Sequence, residues 1–507
     1  MGKVRNWQMI ARSDTGILIM LALLRFVPLL LHNGQAGWHR DELDFLDNAR
    51  HLAWGYVSYP PLTPFLGRVA LTLFGPSLVG VRLFSALAGA VAMVLTGWMA
   101  RELGGRRWAQ VLAAAAAMIA PYAILGGALF VYSSFDYLWW VLIAYLMIRL
   151  LKSDDPRWWL GVGAAIGLGM LTKYTLAFLA AAIVIGVLLT RTRRHLTSPW
   201  LWGGVGLALL LALPNLIWQM QHDWIYLDFF RAIHARDVRI GRTEGYLAEQ
   251  VIFTTNVVTI PLWVAGLYAY FLAPLGRRFR LMGLLFVVPF GLFLITQARP
   301  YYLAPAYPVL FAAGAVVVEQ WLASWAGAPV RIIRATIWGA FAVSGIVFAL
   351  VALPVAPVNS GLWNLASDIN GELKEQVGWP ELVETVAGIY AGLPAEEKPQ
   401  TAILTGNYGE AGAINLYGPA CGLPQAISGV NSYWYRGYGD PPPQTVIVLG
   451  LSSSRLAYLF DSCQQVGRIT NRYGVLNEET REHAIILLCR GPRRPWPEIW
   501  RRLRSFG

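Results

Sequence analysis

Apolar runs of roughly 17–25 residues recur along the first two thirds of the chain, each long enough to cross a bilayer as a helix, with short Arg-bearing loops between them. The pattern predicts spanning helices at 16–32, 77–100, 109–126, 136–151, 158–172, 174–190, 199–217, 255–273, 281–296, 302–321 and 333–353, eleven in all. The fifth is short, and its turn at Thr172-Lys173 is tight. The first run, 17–31, also has the look of a signal peptide, but Arg25 interrupts it and no mature soluble domain follows, so a retained helix is expected. Lys3, Arg5 and Arg12 precede it, and further basic loops lie at 101–107, 149–157, 191–194 and 277–280, with a weaker pair at Arg331 and Arg334. Basic loops stay on the cytoplasmic side. The N-terminus is therefore expected inside, and everything after residue 353 outside.

Beyond 353 the pattern changes. "TAILTG" (401–406), "TVIVLGL" (445–451) and "AIILLC" (484–489) read as short buried strands, and "ELVETVAGIYAGL" (381–393) as an amphipathic helix. The expected organisation is a membrane domain over 1–353, with a first outer loop at 33–76 containing interfacial helices, and a small extracytoplasmic α/β domain over 354–507. Gly406-Asn407-Tyr408-Gly409 follows a strand but lacks the three-glycine spacing of a phosphate-binding turn, and a structural turn is expected. The tail "RGPRRPWPEIWRRLRSF" either lies on anionic lipid or is a solvated tail.

Composition agrees with the apolar pattern: 56% of residues are hydrophobic and 14% charged, against about 25% charged in soluble domains. The net charge of +12 sits in the loops between apolar runs, where membrane topology accounts for it, and nucleic acid is not an expected partner. All three cysteines, Cys421, Cys463 and Cys489, fall in the outer domain. An oxidising compartment permits one pair; Cys463 with Cys489 is the expected one, and three free thiols are the alternative.

Polar residues outside the basic loops converge on the outer side. Asp41, Glu42, Asp44 and Asp47 crowd into "HRDELDFLDNAR" directly after the first run. An acidic loop is ordinarily just hydrated. Here Trp38, Phe45, Trp54 and Tyr56 flank it, and Leu43, Leu46, Ala49, Leu52 and Ala53 recur at helical spacing. That predicts a helix along the bilayer surface with Asp41 and Glu42 at its N-terminus, where the dipole favours anions. An ionised carboxylate there can act as a general base, and paired carboxylates can recruit a divalent metal. Asp44 and Asp47 are expected to be a hydrated remainder. The prolines of "YPPLTPF" (59–65) end one helix and start another. Lys173 either snorkels to headgroups or partners phosphate; Asp136 either caps a helix or belongs to the site; Arg299 either anchors a helix or pairs with phosphate. His222 and Asp223 give no metal-ligand pattern.

The motifs "DELDF", "YPPLTPFL", "GMLTKYT", "PNLIWQMQHDW" and "QARPYYLAPAYPVLFA" resemble, in order and spacing, the bacterial family-39 glycosyltransferases, relatives of the dolichyl-phosphate-mannose protein mannosyltransferases and the lipid A aminoarabinose transferases. The resemblance covers residues 10–325. It implies the GT-C fold and transfer of a sugar from a polyprenyl phosphate to a lipid, glycan or protein acceptor at the outer face of a bacterial inner membrane. Carried over by position, it implies Asp41 as base with Glu42 beside it, and Lys173, Arg299, Tyr301 and Tyr302 near the donor phosphate; Asp136 and Tyr59 complete the candidate set. The lipid A enzymes carry a lysine in the segment corresponding to 59–65, which has none here; this argues against aminoarabinose as the sugar. The expected reaction is a single, inverting displacement. A secondary transporter or flippase, which places its charges near the midplane and often shows internal repeats, is the alternative; a non-catalytic assembly subunit is the third reading.

Overall fold

The computed structural model describes residues 13–507. Lys3, Arg5 and Arg12 lie outside the described residues. The eleven predicted segments all fall on helices, but they are not eleven straight spans. Seven helices are long and apolar enough to cross a membrane, and up to ten spans result if each of three bent pairs counts as one. Trp158–Met170 has only 13 residues, about 20 Å of helix, which accounts for the difference from the expected count.

The bends have local causes. Arg107–Ile119 and Pro121–Ala128 meet at 66°, where Pro121 cannot donate the helix hydrogen bond. Tyr246–Thr255 and Val257–Phe271 meet at 94° across Asn256, whose φ is +86°. Helices cross closely where glycine allows it: a Cβ on Gly163 would lie 2.0 Å from the Gly204 carbonyl of helix Pro199–Gln221, the small-residue contact that membrane helices use. Outward faces stay apolar, as at Leu209, Leu210 and Ile346. This is a multi-span helical membrane protein.

One end of the bundle gathers the basic loops. Lys152 Nζ donates to Glu102 (3.0 Å), Arg278 Nε to the Leu151 carbonyl (2.7 Å), and Arg194 pairs with Asp154. Helix Tyr132–Ser153 runs 22 residues from that end, about 33 Å, to Tyr132 in a large cavity at the other end.

Past helix Ala328–Ala352 the chain builds a five-stranded sheet ordered β2-β1-β3-β5-β4: β1 Thr401–Thr405, β2 Ala426–Ser428, β3 Thr445–Leu449, β4 Phe460–Arg468 and β5 Ile485–Pro492. β1 is parallel to β2 and β3, while β5 is antiparallel to β3 and β4. The strands and helix read from sequence are present; β2 and β4 were not foreseen. β4 is mostly exposed on both faces and so lacks an apolar pattern. Cys463 and Cys489 face each other across β4 and β5 as a disulfide, and Cys421 is free and exposed. Asn407 caps helix Tyr408–Tyr417, making 406–409 a structural turn. The C-terminal helix Trp496–Leu503 is neither a lipid anchor nor a free tail. Trp496, Ile499, Trp500 and Leu503 pack inward, and the Trp434 and Trp500 indoles donate to each other's carbonyls at 3.0 and 2.9 Å.

The helix of the loop after the first span, Arg40–Arg50, was expected to lie on the bilayer. It is instead enclosed on both sides. Leu43, Phe45 and Leu46 share one core with Trp379, Ile403, Ile414 and Leu449 of the sheet region. A Cβ on Gly412 would meet Leu43 at 2.8 Å.

Candidate active site

Between the helix bundle and the sheet region lies a cavity of about 1230 Å³. It brings together Asp41, Tyr59, Lys173, Arg299, Tyr301 and Tyr302 of the candidate set; Glu42 and Asp136 are not in its lining. Part of the bundle-side wall is apolar, with Leu125, Leu129, Phe178, Phe253, Phe293 and Phe348, and Lys173, Asp237 and Arg299 stand in its polar part. Towards the sheet the walls are polar, with His39, Arg40, Asp41, Asp44, Tyr408 and Asn431.

Helix Arg40–Arg50 begins with a capping box. The His39 backbone N–H donates to Glu42 Oε2 (2.9 Å), and His39 Nδ1 accepts from the Asp41 N–H (3.2 Å). Nε2 of His39 contacts Glu372 at 2.7 Å. Glu42 turns away from the cavity and is fully buried. Its Oε1 accepts from Arg82 Nε and the Phe130 N–H (both 2.8 Å), and its Oε2 from Arg82 Nη2 (2.6 Å) as well as His39. Burial opposes ionisation, but the Arg82 guanidinium and these N–H groups hold the Glu42 carboxyl below its usual range. Arg82 also donates to the carbonyls of Asn33 and Gly37 (2.9 Å each). With both oxygens occupied, Glu42 is not available to form a carboxylate pair with Asp41. Among the described residues no group of three or more His, Cys, Asp or Glu side chains is arranged to hold a metal ion.

Asp41 faces the cavity. Tyr408 donates to its Oδ1 at 2.8 Å, and among the described residues Oδ2 accepts no hydrogen bond. Asp44 and Asp47 correct the expectation of a hydrated remainder: both are buried. Asp44 accepts from Tyr59 (2.5 Å) and Asn48 (3.0 Å), and burial pushes its carboxyl up to about 7 against the opposing pull of Tyr59 and Arg436. Asp47 accepts from Asn415 Nδ2 (3.1 Å) and pairs with Arg436, whose guanidinium lies 4.3 Å from the Tyr433 ring centroid. Asp47 ties this helix to the sheet region, and Asp44 ties it to the Tyr59 segment that follows it.

Lys173 sits at the break between Trp158–Met170 and Leu176–Leu189. It does not snorkel: its side chain is 8% exposed. Its ammonium stands over three rings, Tyr302 (4.4 Å), Tyr132 (5.0 Å) and Tyr301 (5.3 Å), an arrangement that attracts a cation. Its nearest carboxylate is Asp136 Oδ2 at 4.0 Å. Asp136 is not a cap, since Val131 holds the N-cap position. It accepts from Trp140 (3.1 Å) and Thr175 (3.4 Å) behind the cavity wall. Arg299 is paired two-pronged with Asp237, Nε to Oδ2 at 2.6 Å and Nη2 to Oδ1 at 3.0 Å, and reaches the Tyr301 hydroxyl at 3.3 Å.

Sequence reasoning missed Tyr408, Asp237 and Tyr132. Nothing local marks them, because each acquires its partner across a large separation, 367 residues for Tyr408 and Asp41.

A bent-helix bundle of this kind, with a cavity at one end beneath a small sheet region, has the GT-C fold. Residues 58–218 match the family described as dolichyl-phosphate-mannose-protein mannosyltransferase. The crystal structure of ArnT from Cupriavidus metallidurans bound to undecaprenyl phosphate superposes with a TM-score of 0.58 at 14% identity, covering 93% of this chain and 97% of that one. Among curated relatives, the lipid A galacturonosyltransferase RgtD of Rhizobium johnstonii is 27% identical over 41% of this chain and 44% of its own length. The undecaprenyl phosphate-alpha-4-amino-4-deoxy-L-arabinose arabinosyl transferase 1 of Pseudomonas fluorescens (strain Pf0-1) is 23% identical over 62% and 59%. The chain thus spans about half the length of the curated relatives it matches. The resemblance read from the motifs is borne out, including the fold it implied.

Proposed function

We propose that this chain is an inverting glycosyltransferase of the outer membrane face, moving a sugar from a polyprenyl phosphate to an acceptor hydroxyl. The observation that carries the reading is the cavity itself. An apolar portion suited to a lipid tail adjoins a polar portion with a cavity-facing carboxylate, Asp41, on one wall and a tyrosine-caged cation, Lys173, on the other. The names of the relatives, which act with undecaprenyl phosphate or on lipid A, support the same donor and favour a lipid-linked acceptor.

The acceptor oxygen attacks the anomeric carbon while the bond from that carbon to the phosphate oxygen breaks. Asp41 takes the acceptor proton. The electron pair leaves with the polyprenyl phosphate, and Lys173 stabilises the charge that grows on it. One displacement inverts the anomeric centre and needs no carboxylate nucleophile. Arg299, whose charge is shared with Asp237, holds the 299–302 turn that presents Tyr301 and Tyr302 beneath the lysine. Tyr59 orients Asp44 at the cavity edge. The basic loops at the opposite end face the cytoplasm, which puts the N-terminus inside and the sheet region outside.

The test is label transfer by purified protein from a panel of radiolabelled undecaprenyl-phosphate-linked hexoses, pentoses and uronic acids, with Asp41→Asn alongside. Transfer from one donor by the wild type, lowered about 100- to 10,000-fold in the variant, is expected. Movement of intact lipid across vesicles without release of undecaprenyl phosphate would instead make the protein a flippase.

A further inference from the structure

The parallel strands of the sheet region end towards the cavity. The turns after β1 (406–409) and β2 (429–431) supply Tyr408 and Asn431 to its lining. In open α/β sheets the carboxyl ends of parallel strands, where the strand order reverses, form the binding crevice. β1 stands at such a reversal, between β2 and β3. Its crevice receives the start of the outer-loop helix, Arg40 and Asp41.

The contact there is built with care on every side. The Tyr408 hydroxyl donates to Asp41 Oδ1 at 2.8 Å. Arg40 lies over the Tyr408 ring at 5.4 Å and is itself held by Glu478, with Nη2 to Oε1 at 2.9 Å. Asn407 caps the helix that begins at Tyr408, accepting from the Gly409 N–H at 2.6 Å. The ring therefore has neither a free rotation nor a free backbone. Burial and the adjacent Asp41 charge hold the phenol well above its ordinary value, so it remains a donor.

We propose that Tyr408 is a positioning residue for the base: the sheet region completes the catalytic centre by fixing Oδ1 of Asp41, which leaves Oδ2 directed to the acceptor hydroxyl. This rests on the reading of Asp41 as base. The sheet region is then part of the reaction centre, and a transferase core lacking it would hold its base in more than one rotamer.

The experiment is a double-mutant cycle in the full chain. Transfer is measured with the undecaprenyl-phosphate-linked sugar that the wild type consumes, and binding with undecaprenyl phosphate alone. Tyr408→Phe keeps the ring under Arg40 and removes only the hydroxyl. A hydrogen bond to a charged group corresponds to about 10- to 100-fold, and turnover should fall within that range while donor KM, undecaprenyl phosphate affinity and unfolding temperature stay put. In the Asp41→Asn background the same change should have no further effect, because the tyrosine acts only through the carboxylate. Tyr390→Phe, which loses a comparable hydroxyl bond (to the Lys398 carbonyl, 3.2 Å) elsewhere in the same region, should turn over like the wild type. Wild-type turnover in Tyr408→Phe overturns the proposal. So does an equal loss in both backgrounds, which is what a merely structural tyrosine gives. Full activity of Asp41→Asn defeats the base assignment itself, whatever Tyr408 does.

Discussion

The two walls of the cavity treat their charges differently. On the sheet-facing wall, helix Arg40–Arg50 carries four carboxylates, and three are consumed by the protein: Glu42 by Arg82, Asp44 by Tyr59 and Asn48, Asp47 by Arg436 and Asn415. Only Asp41 keeps an oxygen free of hydrogen bonds among the described residues. On the bundle-facing wall, Arg299 is spent on Asp237 at 2.6 Å, whereas Lys173 has no carboxylate closer than 4.0 Å and is held by ring faces instead. Residue type does not separate the working groups from the structural ones on either wall. Partnership does: among the candidate residues each wall keeps one charge in reserve, Asp41 on one and Lys173 on the other, and the pair has the signs that the proposed proton acceptor and phosphate partner require.

The contrast can be broken most forcefully at Arg82. Arg82→Leu strands the Glu42 carboxylate in a buried site, and loss of one member of a buried ion pair costs about 3–5 kcal/mol. Chemical unfolding in detergent should show that loss, and Glu42→Leu added to Arg82→Leu should recover much of it. A loss of turnover at unchanged stability would move Glu42 back among the working groups. The next largest effect distinguishes the two cations. Lys173→Ala should weaken undecaprenyl phosphate binding about 10- to 100-fold, and adding Asp136→Asn should not restore it. The damage in Arg299→Ala should instead be relieved in part by Asp237→Asn, since its main consequence is a buried aspartate left with only the longer Arg236 contact at 3.6 Å. Relief in neither case or in both would erase the distinction.

The smallest effect is on pH dependence. Burial raises the Asp44 carboxyl to about 7 in the folded state, above its ordinary value near 3.9, so the folded chain holds this proton more tightly than the unfolded one. The stabilisation is complete below about pH 4 and is lost as the pH rises through about 7. Asp44→Asn cannot ionise. The difference in unfolding temperature between it and the wild type should therefore change across that interval, and parallel curves would show that Asp44 does not titrate there.

The sequence made the membrane helices legible because their signal is local: an apolar run and a basic loop suffice. It also located Asp41, Lys173 and Arg299 on one membrane face. It could not rank them, since their partners Tyr408, Tyr132 and Asp237 lie in other segments and carry no periodic mark. The enclosure of helix Arg40–Arg50 was hidden for the same reason. Leu43, Leu46 and Ala49 give an apolar stripe suited equally to lipid or to a protein neighbour, and the neighbour, helix Tyr408–Tyr417, is distant in sequence. Asp44 and Asp47 read as solvated because the buried donors that satisfy them come mainly from elsewhere, Tyr59 for one and Arg436 and Asn415 for the other. The shortness of Trp158–Met170 and the bend at Asn256 depend on packing, and a span count taken from hydropathy alone runs high.

The most direct test of the two-wall account takes Asp41→Asn and Lys173→Ala in one membrane preparation and measures undecaprenyl phosphate affinity and single-turnover sugar transfer at saturating donor for each. The account predicts a crossover. Asp41→Asn should bind the lipid phosphate like the wild type and transfer about 100- to 10,000-fold more slowly, and Lys173→Ala should lose affinity by about 10- to 100-fold. Equal loss of binding in both variants, or wild-type transfer by Asp41→Asn, would contradict it.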